Sequence, residues 1–136
     1  VNYHYRSKLD LLTTAAETIR DDRATRRLAA AHHPGSEALD QLWTSLTREV
    51  DSGWFAAWIS LTSAEAPLRR AAATRPTDTS NLAAALGRAL DLGDALRPEA
   101  QLIQAVLDGL ELQLLHGAPP KETEDAWHRF WLRTLP

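Results

Sequence analysis

The stretch Pro98-Glu99-Ala100-Gln101-Leu102-Ile103-Gln104-Ala105-Val106-Leu107-Asp108-Gly109-Leu110-Glu111-Leu112-Gln113-Leu114-Leu115-His116 reads as one helix, and its apolar side is too wide for a single core. Proline suits the first position of a helix, where its missing N–H is no loss, and Gly117 is a natural stop. With residues placed at about 100° intervals, Ile103, Leu107, Leu110 and Leu114 cluster, and Leu102 and Val106 lie beside them. Ala105, Gly109 and Leu112 continue round. The apolar or small arc spans roughly 220°, about twice the stripe of a helix with one buried side. Gln101, Gln104, Asp108 and Glu111 form the polar strip, with Leu115 the one large apolar residue inside it. Such a helix needs cover on two sides, from its own core and from a second subunit.

The flanking segments carry simpler patterns. Residues 121–135 set Trp127, Phe130 and Trp131 on one face, with Glu122, Asp125, Arg129 and Arg133 opposite. Upstream, proline and glycine divide the chain into helical runs. Ser7 followed by Asp10 makes a capping-box-like start, and the run after it reaches about Arg27. Leu11, Leu12, Ala15 and Ile19 share a face there, while Arg20, Arg23, Arg26 and Arg27 suit the C-terminal end of the helix dipole. His33-Pro34-Gly35 breaks that helix, and Ser36 is placed to cap a second one carrying Leu39, Leu42, Trp43, Leu46 and Val50. Residues 54–65 form a third run and 68–73 a short segment. Residues 74–80 read as a mobile loop, and 81–92 as a helix closed by Gly93. The expected architecture is an all-α bundle of about six or seven helices, with a four-helix dimer interface built from the last two helices of each subunit.

Composition agrees and narrows the function. The chain has 136 residues, enough for one domain, and 23 Ala and 22 Leu supply a third of it, a helical bias. No cysteine is present, which excludes disulfide scaffolds, thiolate metal sites and cysteine nucleophiles. No apolar run approaches the ~20 residues of a membrane span and no signal peptide opens the chain, so no membrane partner is expected and the cytoplasm is the default. The net charge of −3 gives no overall attraction to nucleic acid, so any DNA contact is local. There is no methionine and the chain begins at Val1, as a fragment or a trimmed chain would.

The first twelve residues, Val1-Asn2-Tyr3-His4-Tyr5-Arg6-Ser7-Lys8-Leu9-Asp10-Leu11-Leu12, resemble a motif of the TetR family of transcriptional regulators. In that family an aliphatic residue precedes Tyr-His-Phe/Tyr, then x-Ser-Lys and a Leu pair, at the end of the recognition helix and the start of the next helix. Asn2 stands where a tyrosine is common. The order of later segments is similar too: a long linking helix, pocket-forming helices, a proline-led helix reading Asp108-Gly109-Leu110, and an aromatic final helix. The resemblance implies a fold like that family's C-terminal domain. Residues 1–6 would be the end of the DNA-recognition helix, with the rest of the head ahead of Val1, and 7–136 the ligand-binding and dimerisation domain. It further implies a homodimeric repressor that holds a small hydrophobic effector in a helical pocket and releases operator DNA. Tyr3, His4 and Lys8 would contact DNA phosphates, and Tyr5 would pack the head on the next helix. A capped helix start with an added lysine attracts an anion, which fits that role for Lys8.

Trp43, Trp54, Phe55 and Trp58 fall close together in the sequence, and Trp54 and Trp58 are one helical turn apart. They read either as ordinary core or, following the resemblance, as the lining of an effector pocket. Arg48, Glu49 and His116 are possible polar anchors, although surface placement is the expectation for each. The dimer interface is expected to comprise Leu102, Ala105, Val106, Gly109, Leu110, Trp127, Phe130 and Trp131. His32-His33 is adjacent rather than one turn apart, and Glu124 with His128 lacks the further Glu and Glu-x-x-His sites of a dimetal bundle. No metal and no cofactor is therefore expected. With no Gly-rich phosphate loop and no nucleophile elbow, an enzyme is not expected either. The rival reading is a stand-alone helical dimerisation or ligand-sequestering protein that binds no DNA.

Overall fold

Ser7 opens the first helix through its side chain: Oγ accepts the N–H of Asp10 at 3.2 Å and satisfies one of the orphan donors of the first turn. That helix is α1 (Lys8–Ala31). It is followed by α2 (Glu37–Ser52), α3 (Trp54–Thr62), α4 (Ala66–Ala72), α5 (Pro76–Ala89), α6 (Ala100–Leu115) and α7 (Pro120–Thr134), with a 3-10 turn at Arg97–Glu99 leading into α6. The computed structural model describes residues 7–136, and among these all regular structure is helical. The chain is an all-α bundle.

Its interior has two parts. The larger core joins α2, α5, α6 and α7 through Leu42, Leu46, Leu86, Ile103, Leu107 and Trp127. Trp127 is fully buried, donates its Nε1 hydrogen to Leu39 O at 3.1 Å, and meets Trp131 edge-on with ring centroids 5.5 Å apart. The smaller core lies where α1 crosses α3 and α4, with Ala16 and Ile19 packed on Phe55, Trp58 and Ala72. The end of α1 reaches the larger core through Ala30 and Ala31, so this helix lies along both.

Several boundaries depart from the sequence reading. The first helix continues past Arg27 to Ala31, and its last turn holds no basic residue. Its arginines therefore do not serve the dipole. Residues 74–80 are not a loop for most of their length, because Pro76 begins α5 with its dihedral preset and the Arg75 Nε donates to Asp78 at 3.1 Å. Ser36 makes no side-chain cap; the N–H of Gly35 instead donates to Ala89 O at 2.8 Å. The fifth helix ends at Ala89 because the chain folds back over it. The Leu92 N–H reaches Gly87 O at 2.8 Å, and a Cβ on Gly87 would lie 2.1 Å from the carbonyl oxygen of Gly93. No larger residue fits at 87 without moving that turn. Pro98 sits inside the 3-10 turn rather than opening α6.

The two-sided helix is where the pattern placed it. Ile103, Leu107 and Leu110 of α6 face the core, whereas Leu102 (49 % exposed), Ala105, Gly109 and Leu112 face outward. Glu111 departs from the expected polar strip and is wholly buried.

Candidate functional site

Arg23 and Arg27 stand one turn apart on the inward face of α1, in line with Ala16, Ile19 and Ala30. The helix must bury them because they fall on its packing stripe, and isolated buried guanidiniums would be prohibitive. Carboxylates from two other helices meet them. The Arg23 Nη1 donates to Glu49 of α2 at 2.8 Å and to Glu111 of α6 at 3.3 Å, and its Nη2 donates to Asp108 at 3.1 Å. Arg27 Nη2 pairs with Asp108 at 2.9 Å and also with Glu111. The Gln104 amide donates to both oxygens of Asp108 at 3.2 Å. On the far side the Arg23 guanidinium lies over the Trp58 ring, 4.0 Å from its centroid, and 5.3 Å from that of Phe55. The Trp58 ring is fixed in turn by its Nε1 hydrogen bond to Ala72 O at 2.8 Å. One arginine thus ties α1, α2, α3 and α6 together.

Three carboxylates share two guanidiniums, and the deepest of the three carries the mismatch. Burial, only partly offset by the charge of Arg27, pushes the Glu111 carboxyl up to about 8, and its contact with Glu49 acts in the same direction. Of the three carboxyls, Glu111 is therefore the one whose surroundings most favour the protonated form. Burial also works against the Arg27 charge, but Glu111, Asp108 and Glu49 outweigh it and raise its pKa above the ordinary value.

Beside this cluster is a cavity of about 20 Å3, walled by Arg20, Arg23 and Arg27 of α1 and closed by Asp78, Leu82 and Gln104. Thr74 and Gln104 also border an outer cleft of about 530 Å3 between the starts of α5 and α6, whose walls include Thr79, Ser80, Arg97 and Gln101. The outer cleft has the size of an ordinary small-molecule site, whereas the inner cavity has room for about one water molecule. Arg20 and Arg75 hold the edge of the cavity: Arg20 donates to Asp21 and to Ala71 O, and Arg75 bridges Asp21 and Asp78.

The aromatic residues singled out from the sequence are not gathered round one space. Trp43 belongs to the larger core, Phe55 and Trp58 to the smaller one, and Trp54 is about half exposed. Phe55 and Trp58 stack with centroids 5.8 Å apart and contact the site only through Arg23. Arg48 and His116 are exposed as expected, but Glu49 is not: it is buried because Arg23 needs its charge. Of the residues proposed for a dimer interface, Leu102, Ala105 and Gly109 are exposed, and Val106 and Phe130 are half-buried. Leu110, Trp127 and Trp131 are buried within the subunit. Lys8 is exposed at the start of α1, whereas Tyr3 and His4 lie outside the described residues. His32, Glu124 and His128 make no metal cluster, and no group of potential ligands suited to a metal occurs among the described residues.

The cluster itself was missed in the sequence, although a signal exists. Arg23 and Arg27 at i,i+4 continue the apolar spacing of Ala16 and Ile19, and Asp108 and Glu111 at i,i+3 share a face of an otherwise apolar helix. Opposite charges on two helix stripes that should both be buried suggest mutual pairing. No protein-family model matches the chain, and no curated protein or solved structure shows significant similarity to it.

Proposed function

We propose that the chain is the ligand-binding and dimerisation portion of a TetR-like transcriptional repressor, in which an effector held beneath α1 shifts that helix. The observation that carries the reading is the place of the cavity. Half of its lining residues belong to α1, and the resemblance makes the start of α1 the junction with a DNA-binding head. An occupant between α1, α5 and α6 changes how α1 lies on the bundle. Heads of a dimer contact two half-sites at fixed separation, so a small shift of both copies of α1 lowers operator affinity sharply. Leu9 and Leu11, 37 % and 46 % exposed at the start of α1, supply apolar surface on which a head can pack. Leu102, Ala105 and Gly109, outward on α6, supply a shallow face for a second subunit, with Val106 and Phe130 at its edge. No described helix is long and apolar enough to cross a membrane.

The test is an anisotropy titration of the chain, joined to its native upstream residues, against DNA fragments from around its own gene. Selective binding to a roughly palindromic site is expected, with Lys8→Ala weakening binding to all sequences alike. A dimer with no selective DNA binding would replace this reading with a ligand-sequestering protein.

A further inference from the structure

We propose that the outer cleft, between the starts of α5 and α6, binds a small uncharged polyhydroxylated molecule, a sugar or a cyclic polyol. The ligand class stands on the side chains of that cleft alone, and its regulatory role rests on the effector-binding reading above.

The polar groups of this cleft are uncommitted. Thr74, Thr79, Ser80 and Gln101 line it, and their side chains make no hydrogen bond among the described residues. Gln104 spends its amide hydrogens on Asp108 and keeps its side-chain carbonyl oxygen. A matched pair of helices shows that the local backbone does not dictate this. Thr79 and Thr123 each stand three residues after the proline that opens their helix. Each donates its N–H to the carbonyl four residues back, Arg75 O at 3.2 Å and Pro119 O at 3.1 Å. In α7 the hydroxyl joins the N–H on that carbonyl, at 2.9 Å, and Thr123 is buried. In α5 the hydroxyl of Thr79 stays free beside the cleft, although the equivalent carbonyl is at hand.

Charge and surface select among ligands. No carboxylate lines the cleft, and its one cation, Arg97, already donates to Asp94 at 3.3 Å. A charged ligand therefore finds no unmatched counter-charge there. A purely apolar ligand would cover the hydroxyls and amides and leave them without partners, which costs more than leaving them in water. Hydroxyl and carboxamide side chains both donate and accept, and the ligand groups that do likewise are hydroxyls. Pro76 at the start of α5 and Pro98 ahead of α6 add C–H surface for the carbon face of a ring. The volume, about 530 Å3, accommodates roughly one or two sugar rings.

The experiment is an amide-proton and nitrogen-15 correlation titration of the folded chain with glucose, maltose and myo-inositol. Glucose 6-phosphate and gluconate serve as charged counterparts, and cyclohexanol as the apolar one. At least one of the three neutral probes is expected to shift the signals of residues 74–80 and 97–104 at millimolar concentration. Cyclohexanol should bind at least about tenfold more weakly, and neither charged compound more tightly than glucose. Thr79→Val keeps the shape of the side chain and removes the hydroxyl, and Gln101→Leu removes the amide. Each should weaken the neutral probe about threefold to tenfold, whereas Arg97→Gln should change it less than about twofold. None of the three substitutions touches either core, and unchanged indole signals of Trp58 and Trp127 verify the fold in each variant. No shift in these segments with any neutral probe, tighter binding of glucose 6-phosphate or gluconate, or binding indifferent to both Thr79→Val and Gln101→Leu would overturn the proposal. DNA affinity is scored separately, on the chain joined to its upstream residues. Sugar or polyol binding that leaves DNA affinity unchanged defeats the regulatory reading and keeps the ligand class; release of DNA by a charged or apolar occupant of this cleft does the reverse.

Discussion

The α2–α5–α6–α7 half of the molecule and the half where α1 meets α3 and α4 are held by different chemistry. The first is an ordinary apolar core in which Leu42, Leu86, Ile103, Leu107 and Trp127 are almost wholly buried, and its central tryptophan is bonded to the backbone. The second has few buried apolar side chains, and polar devices do the joining: Arg23 over Trp58 and Phe55, Trp58 to Ala72 O, Arg20 to Ala71 O, and the carboxylates of α2 and α6. An apolar core resists change everywhere alike. The ionic cluster depends instead on matched charges, and it adjoins a cavity. The packing of α1 on α3 and α4 thus rests on polar contacts to a degree that the larger core does not.

The largest expected effects set the two halves against each other. Trp127→Ala should destabilise the chain by about 3–5 kcal/mol, through lost area and a cavity that the surrounding helices only partly fill. Arg23→Met, which keeps the length of the side chain, should lose a similar amount at neutral pH, about 3–5 kcal/mol, because it strands Glu49, whereas Asp108 keeps Arg27 and Gln104. Urea denaturation at two pH values separates the causes. Acid that protonates the stranded Glu49 should restore part of the Arg23→Met loss and none of the Trp127→Ala loss. Equal pH response in the two variants would erase the distinction between the halves.

The same contrast explains what could be read in the sequence. Helix number, the two-sided α6 and the tryptophan face of α7 follow from apolar periodicity, which is the physics of the larger core. The cap at Ser7 follows from local hydrogen bonding. The ionic cluster escaped because a buried arginine looks, in one sequence, like a solvated one. Arg23 and Arg26 differ only in angle round the helix, yet Arg23 is buried and Arg26 is half-buried beside Asp22. What distinguishes them is a partner on a helix far away in sequence, and periodicity of α1 alone does not contain it. The aromatic residues misled for the same reason: their nearness in sequence is not nearness in space, and Trp43 and Trp58 lie in different cores.

Glu111→Gln sharpens the comparison with a smaller effect of opposite sign. The carboxyl is raised from 4.5 to about 8 in the folded chain, so folding retains a proton that the unfolded chain releases. Its contribution is complete below pH 4.5, declines as the pH rises toward 8, and is flat beyond that. Glutamine resembles the protonated acid and does not titrate. The variant should be more stable than the parent at pH 8, by roughly a few kcal/mol at most, and the difference should vanish near pH 4. Thermal melts across this range read it directly. A stability loss at pH 8 would mean that the ionised carboxylate holds the cluster together.

Within the larger core, Trp131→Phe should change stability by less than about 1 kcal/mol, and in the stabilising direction if volume loss is small. Trp131 Nε1 is buried without an acceptor, whereas Trp127 Nε1 has Leu39 O. Trp127→Phe should cost more than Trp131→Phe in chemical denaturation. The reverse order would show that Trp131 has a partner in solution.

The smallest effect on the subunit concerns the face of α6 that neither half uses. Gly109 lies mid-helix and outward, and a Cβ built there meets nothing within 4 Å. A glycine in a helix interior loses about 0.5–1 kcal/mol relative to alanine, so within one subunit this residue is a liability without a contact to excuse it. In the dimer proposed above, a second copy of α6 approaching closely along Leu102, Ala105 and Gly109 would supply the excuse. Gly109→Glu separates the two situations, because glutamate favours helix and its side chain has open space on the isolated subunit. The folded subunit should gain a few tenths of a kcal/mol. The dimer should dissociate, because two facing glutamates would be buried unpaired about the two-fold axis. Sedimentation should therefore change from dimer to monomer while the far-ultraviolet circular dichroism stays helical. A parent that sediments as a monomer at micromolar concentration, or a Gly109→Glu variant that remains dimeric, would place the second subunit elsewhere or nowhere.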